Sequence, residues 1–174
     1  MITAQQQLLL KQYQERAFIS SILAEETYNH YNFIKNIINI PLIICNSTMV
    51  CINSIITDQA LLKILNIILN SSTGLILSLI SNFKIYENIS LFNKIRVKYT
   101  KLSHLIDSKT TNELDIIDNE FIQFVINEYD SITIECEFIY PLHIRKKKKN
   151  QYQDKLSLPS SLTADIVECK NNCC

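Results

Sequence analysis

Two stretches of the chain, residues 36–57 and 64–83, contain no charged side chain and are dominated by Ile and Leu. Each is about 20 residues long, which as helix reaches roughly 30 Å, the thickness of a bilayer's hydrocarbon. Both end sharply at charge: Lys35 and Asp58 bound the first, Lys63 and Lys84 the second. A soluble helix of that length would carry Lys or Glu on its outer face. Elsewhere the chain does so, in "KQYQER", "AEETYNHYNFIK" and "KIRVKYTKLSHLIDSK". The missing charge is therefore local, and the pattern predicts two transmembrane helices at about 36–57 and 64–83.

The flanking segments are amphipathic. Residues 3–32 read as a helix with Leu9, Tyr13, Phe18 (or Ala17), Ile22 and Leu23 near one stripe. Downstream, Ile85, Ile89, Phe92, Ile95, Tyr99, Leu102 and Ile106 make another. Each is expected to continue its membrane helix into the cytosol, so that the two form one long hairpin joined by "DQALL" at 58–62. A further helix is expected over 112–129, with Leu114, Ile117, Phe121, Phe124 and Val125 on its apolar side. "SITIECEFIY" at 131–140 alternates as a strand would, and Pro141 ends it. Residues 1–145 thus read as one two-transmembrane helical domain, and 146–174 as a basic, disordered tail.

Composition supports an all-α fold. One Gly and three Pro are too few for the tight turns of an all-β chain. Abundant Ile and Asn with no Trp suggest an AT-rich source, such as a large DNA virus or a protist. Equal numbers of acidic and basic residues give no net charge, and no nucleic-acid partner is expected. The six Cys and three His lack the ligand spacings of a zinc site, so no metal or cofactor is expected. Glu25, Glu26, Asp115 and Glu120 lie on ordinary amphipathic helices and read as solvated or ion-paired. With no convergent His, Cys or Gly-rich loop, neither an enzyme nor a small-molecule substrate is expected.

Polar residues inside the two spans are regularly spaced. Asn39, Asn46 and Asn53 recur every seventh residue, while Asn66, Asn70, Gly74 and Ser78 recur every fourth. The simplest arrangement turns both stripes inward to face each other, with Ile and Leu outward to lipid. Gly74 and Ser78 form a small-xxx-small pair that permits close backbone approach, and interhelical amide bonds contribute on the order of 0.6 kcal/mol each. The stripe reads either as packing glue or, in an oligomer, as the lining of a water-filled pore.

A short connection makes the helices antiparallel, with both termini on one side. Lys35, Lys84, Lys94, Arg96, Lys98 and Lys101 flank that side against Lys63 alone at the loop, which places both termini in the cytosol. The run Arg145, Lys146, Lys147, Lys148 and Lys149 is a candidate contact for anionic lipid, at about 1 kcal/mol per cation near the surface. Cys173 and Cys174 are candidates for lipidation.

"YNHYNFIKNIINIPLIICNST" leading into the first span, a short turn, a second span and then "ENISLFNKIRVKYTKLSHLI" form a familiar order. With Tyr31, Asn32 and Pro41 before or within the first span, Tyr99 and Leu102 after the second, and "NEYDSITIECEFIYPLHI" closing the domain, residues 10–145 resemble the SLATT family. These are the SMODS- and SLOG-associating two-transmembrane effector domains, with homologues in large DNA viruses. The single Gly departs from the family's pattern. The resemblance implies a membrane effector, predicted in bacteria to form pores downstream of nucleotide-signalling defence enzymes. In a viral homologue it implies a virion or host-membrane structural protein.

The expectation is a non-enzymatic integral membrane protein, likewise viral, whose cytosolic helices self-associate into a homo-oligomer. The alternatives are an oligomeric pore and a soluble helical interaction bundle.

Overall fold

The computed structural model describes residues 4–55, 58–111, 118–136, 140–155 and 157–163. Among them are five helices and one helical turn, with no strand: α1 (Ala4–Ile55), α2 (Gln59–Asn82), α3 (Ile85–Thr111), α4 (Asn119–Glu135), α5 (Leu142–Gln151) and the turn α6 (Ser160–Thr163). The fold is all-α. It comprises two compact units, one of Met1–Thr27 with Leu91–Cys174, the other of Tyr28–Ser90. The helix α1 is unbroken and contributes to both.

The first unit is a packed bundle. Its core follows the three- and four-residue spacing that keeps side chains on one helix face. Phe92, Ile95, Tyr99, Leu102 and Ile106 of α3 are buried, as are Ile122, Val125, Tyr129 and Ile132 of α4. Leu10, Ala17, Leu23 and Ala24 of α1 complete it. Polar contacts set the directions. Gln14 donates to Asp107 at 2.8 Å and Arg96 pairs with Glu25 at 3.7 Å, so α1 and α3 run antiparallel. The hydroxyls of Tyr99 and Thr133 share a 2.9 Å bond, and Lys98 and Lys94 both pair with Glu135, so α3 and α4 are antiparallel too. Burial pushes the Tyr99 and Tyr129 phenols above their usual value, so both remain neutral at any ordinary pH.

Three expectations are corrected here. Residues 131–135 are helical, not extended: α4 starts at an Asp118 cap that accepts from the Phe121 N–H at 2.8 Å and continues to Glu135. The alternation in "SITIE" lost to helical spacing because Ile132 and Tyr129 bury on one face, while Ile134 is left exposed. Second, the basic run is no tail. The fixed φ of Pro141 suits the start of α5, which carries the run through Gln151. Beyond it, Leu162 and Pro159 are fully buried. Third, α2 does not run on into α3. Lys84 adopts a positive φ of 50°, and its N–H bonds back to the Ser81 carbonyl at 3.0 Å. That left-handed residue closes α2 as a glycine normally would. Residues 112–117, part of the helix expected at 112–129, lie outside the described residues, as do 164–174.

The second unit, Tyr28–Ser90, holds the later part of α1, all of α2 and the start of α3. The expected loop "DQALL" is mostly helix. Asp58 is the N-cap of α2, its carboxylate accepting from the N–H groups of Ala60 at 2.9 Å and Leu61 at 3.4 Å. Gln, Ala and Leu after it are strong helix formers, so the first turn begins at Gln59.

Candidate functional site

The Tyr28–Ser90 unit contains the chain's distinctive surface. Two helical stretches, Ala4–Ile55 and Gln59–Thr111, are long and apolar enough to cross a membrane. The Phe83–Lys84 turn divides the second into α2 and α3. A soluble core helix meets the same length and composition test but is mostly buried. Here only 6% of each apolar window is buried. Ile40, Ile43, Ile44 and Val50 of α1 are exposed, as are Ile64, Ile67, Ile68 and Leu75 of α2. On each helix these residues share one broad face, and the opposite face is apolar as well, with Leu42 and Met49 on α1 and Leu69 and Ile76 on α2, so the apolar character is not confined to one side.

The seam between the two helices is aliphatic. Among the least exposed positions are Ile38, Leu42, Met49 and Ile52 on α1, and Leu62, Leu65, Leu69, Thr73, Ile76 and Ile80 on α2, with Asn39 and Asn66 half-buried at the seam's edge. They recur at intervals of three, four or seven residues, as in left-handed helix pairs. Three hydroxyls of the two helices are satisfied within their own helix. Thr48 donates to the Ile44 carbonyl at 2.8 Å, Ser54 to Val50 at 3.0 Å and Ser72 to Ile68 at 2.8 Å. Such back-bonds let a hydroxyl sit in a medium that offers no water.

The polar stripes do not meet along their length. Asn66 donates to the Asn53 side chain at 3.5 Å, the one direct link between them among the described residues. Asn39 donates instead to the Tyr86 hydroxyl at 2.9 Å, a partner on α3 that the spacing of the asparagines did not suggest. Asn46, Asn70, Gly74 and Ser78 are exposed, and a Cβ built on Gly74 would meet nothing within 4 Å. The expectation of two inward stripes is therefore corrected. At 3.6 residues per turn, a four-residue repeat advances about 40° per step, whereas a seven-residue repeat falls back only about 20°. The α2 stripe starts beside the seam at Asn66 and winds outward through Asn70 and Gly74 to the far side at Ser78. The α1 stripe stays on one flank of the seam.

The basic run is largely committed inside its own unit. Lys148 is 5% exposed and pairs with Glu26 of α1 at 2.8 Å, and Lys147 reaches the same carboxylate at 3.4 Å. Arg145 donates to the Ser161 carbonyl at 2.8 Å. Burial pushes the Glu26 carboxyl up, but the two lysines outweigh it and hold the group below its usual value. Lys146 and Lys149 are exposed. Lys148 thus faces protein and not lipid, because a helical run of five cations must turn some of them toward its neighbours. Nothing in its charge pattern named Glu26 as the counter-ion. Cys173 and Cys174 lie outside the described residues. Among the described residues no three His, Cys, Asp or Glu side chains gather where a metal ion could bind. Of the acidic candidates, Glu25 and Glu26 are salt-bridged, Glu120 is exposed, and Asp115 lies outside the described residues.

No family model, curated protein or solved structure matches the chain. The functional reading therefore rests on the hairpin's own chemistry.

Proposed function

We propose that this chain is an integral membrane protein whose Tyr28–Ser90 hairpin spans the bilayer and whose bundle organises the adjacent aqueous surface. Its role is architectural and not enzymatic. The carrying observation is that the two apolar windows are almost wholly unburied. Soluble monomers rarely expose contiguous apolar patches beyond a few hundred Å². A bilayer covers such a surface on every side, and the back-bonded hydroxyls suit that solvent.

The excess of lysines flanking the terminal side of the spans supports a topology with both ends of the hairpin on the cytosolic side, whether in a host or a virion membrane. The SLATT-like order of segments is compatible with this role.

Extraction with alkaline carbonate tests the proposal. The protein should stay with the membrane pellet, and a protease added from the cytosolic side should reach the bundle. Full release into the supernatant would leave the soluble interaction bundle as the better reading.

A further inference from the structure

One flank of the hairpin is chemically incomplete within a single chain, and this argument rests on the membrane reading above. Among the described residues, neither Asn46 nor Asn70 has a hydrogen-bond partner. A primary amide carries two donors and an acceptor, and leaving them unpaired in hydrocarbon is costly. The neighbouring hydroxyls of Thr48 and Ser72 solve this within their own helix. The two amides do not.

Their placement is systematic. The Asn53–Asn66 bond sets the antiparallel register of the hairpin. Seven residues back from Asn53 is Asn46, and seven forward from Asn66 is Thr73, so Gly74 lies next to the level of Asn46. Both asparagine stripes emerge on the same side of the seam there. At that level Gly74 leaves open space, with nothing within 4 Å of a Cβ. Unpaired amides and room for a close approach thus coincide.

We propose that this flank pairs with the same flank of a second copy of the chain, about a two-fold axis along the membrane normal. Copies inserted the same way round keep every residue level with its counterpart under that symmetry. An amide is complementary to itself, so Asn46 and Asn70 each meet their own equivalent. The opposite flank is a different surface. It is an apolar groove of about 390 Å³ lined by Pro41, Cys45, Ser72 and Ile76 among others. Its side chains include no amide, and its Ser72 hydroxyl is already donated to Ile68. Head-to-tail docking onto it would leave the asparagines unmatched.

The test uses the full chain in phosphatidylcholine vesicles, with the native cysteines replaced by Ser and one cysteine returned at a chosen site. Asn46→Cys and Asn70→Cys should each give a disulfide-linked dimer under mild oxidation, and Ser72→Cys on the groove flank should not. Cross-linking at Ser72→Cys alone, or at none of the three sites, would overturn the proposal. Energy transfer between labelled copies provides a second measurement. Asn46→Leu with Asn70→Leu should weaken dimerisation roughly tenfold, the size expected for losing two interhelical amide contacts. Unchanged dimerisation would also overturn it. So would vesicle dye release that the double substitution abolishes, because the amides would then face water. Carbonate retention of the wild-type chain is read first and separately: its failure removes the hairpin reading, whereas a retained chain that does not pair at this flank removes only the dimer.

Discussion

Phe92 and Ile43 are both large apolar residues on long helices, yet Phe92 is 0% exposed and Ile43 is 64% exposed. The contrast extends to their surroundings. In the bundle, apolar residues occupy one face of each helix, and charged residues such as Lys94, Arg96 and Lys98 occupy the rest. In the hairpin, apolar residues encircle both helices over spans without a single charge. A helix with one apolar stripe can be satisfied by a few neighbours, whereas a helix apolar all round needs either a thick protein shell or lipid. Burial is thus decided by what surrounds the helix and not by the residue type.

The comparison can be broken from either side. On the bundle side the substitution is Phe92→Ala. Emptying that fully buried position should cost the bundle about 3–5 kcal/mol. Hydrogen exchange should show faster exchange along α3 and α4, with carbonate retention unchanged. A loss of membrane retention would mean that the two regions are not energetically separate.

The converse substitution is the pair Ile43→Lys with Ile67→Lys, each placing a cation within a span at about 2.5–3.5 kcal/mol if it sits near the bilayer centre. It should release the protein into the carbonate supernatant while leaving exchange in the bundle unaltered. If retention survives both lysines, these helices do not face lipid.

Smaller and sharper is Glu26→Gln, which takes the carboxylate from the buried Lys148 and leaves it the Gln151 side-chain carbonyl at 3.0 Å. Glu26 is partly exposed, and with that discount the loss should be about 1–2 kcal/mol, read as faster amide exchange in α5. The pH dependence has a definite sign. The Glu26 carboxyl is held below its ordinary value of 4.5, so its contribution is complete above that value and is lost as pH falls through the lower folded one. Wild-type α5 should therefore lose protection in acid below about pH 4.5, and the Gln variant should not show that step. Glu135, held down chiefly by its bond to Lys98 and further by Lys94, gives α4 the same acid sensitivity.

Much of the hairpin was legible in the sequence because hydrocarbon imposes a one-dimensional rule. The absence of charge over about 20 residues is visible without knowing any contact. The core of α3 was legible for a similar reason: Phe92, Ile95, Tyr99, Leu102 and Ile106 keep a strict helical spacing, and all five are buried. Residues 131–135 were misread because five residues of alternation cannot be told from helix without knowing what buries Ile132. Lys148 was misread because a run of like charges carries no sign of which member meets a carboxylate more than a hundred residues away.

The sequence by itself determined that this chain is helical, that two of its segments are bare of charge, and where along them each asparagine falls. Only the tertiary structure decided which way those asparagines turn. Helix pitch makes a four-residue repeat wind away from any straight seam. An aliphatic seam therefore left Asn46, Asn70 and Gly74 outside, where their chemistry waits on whatever lies beyond a single chain.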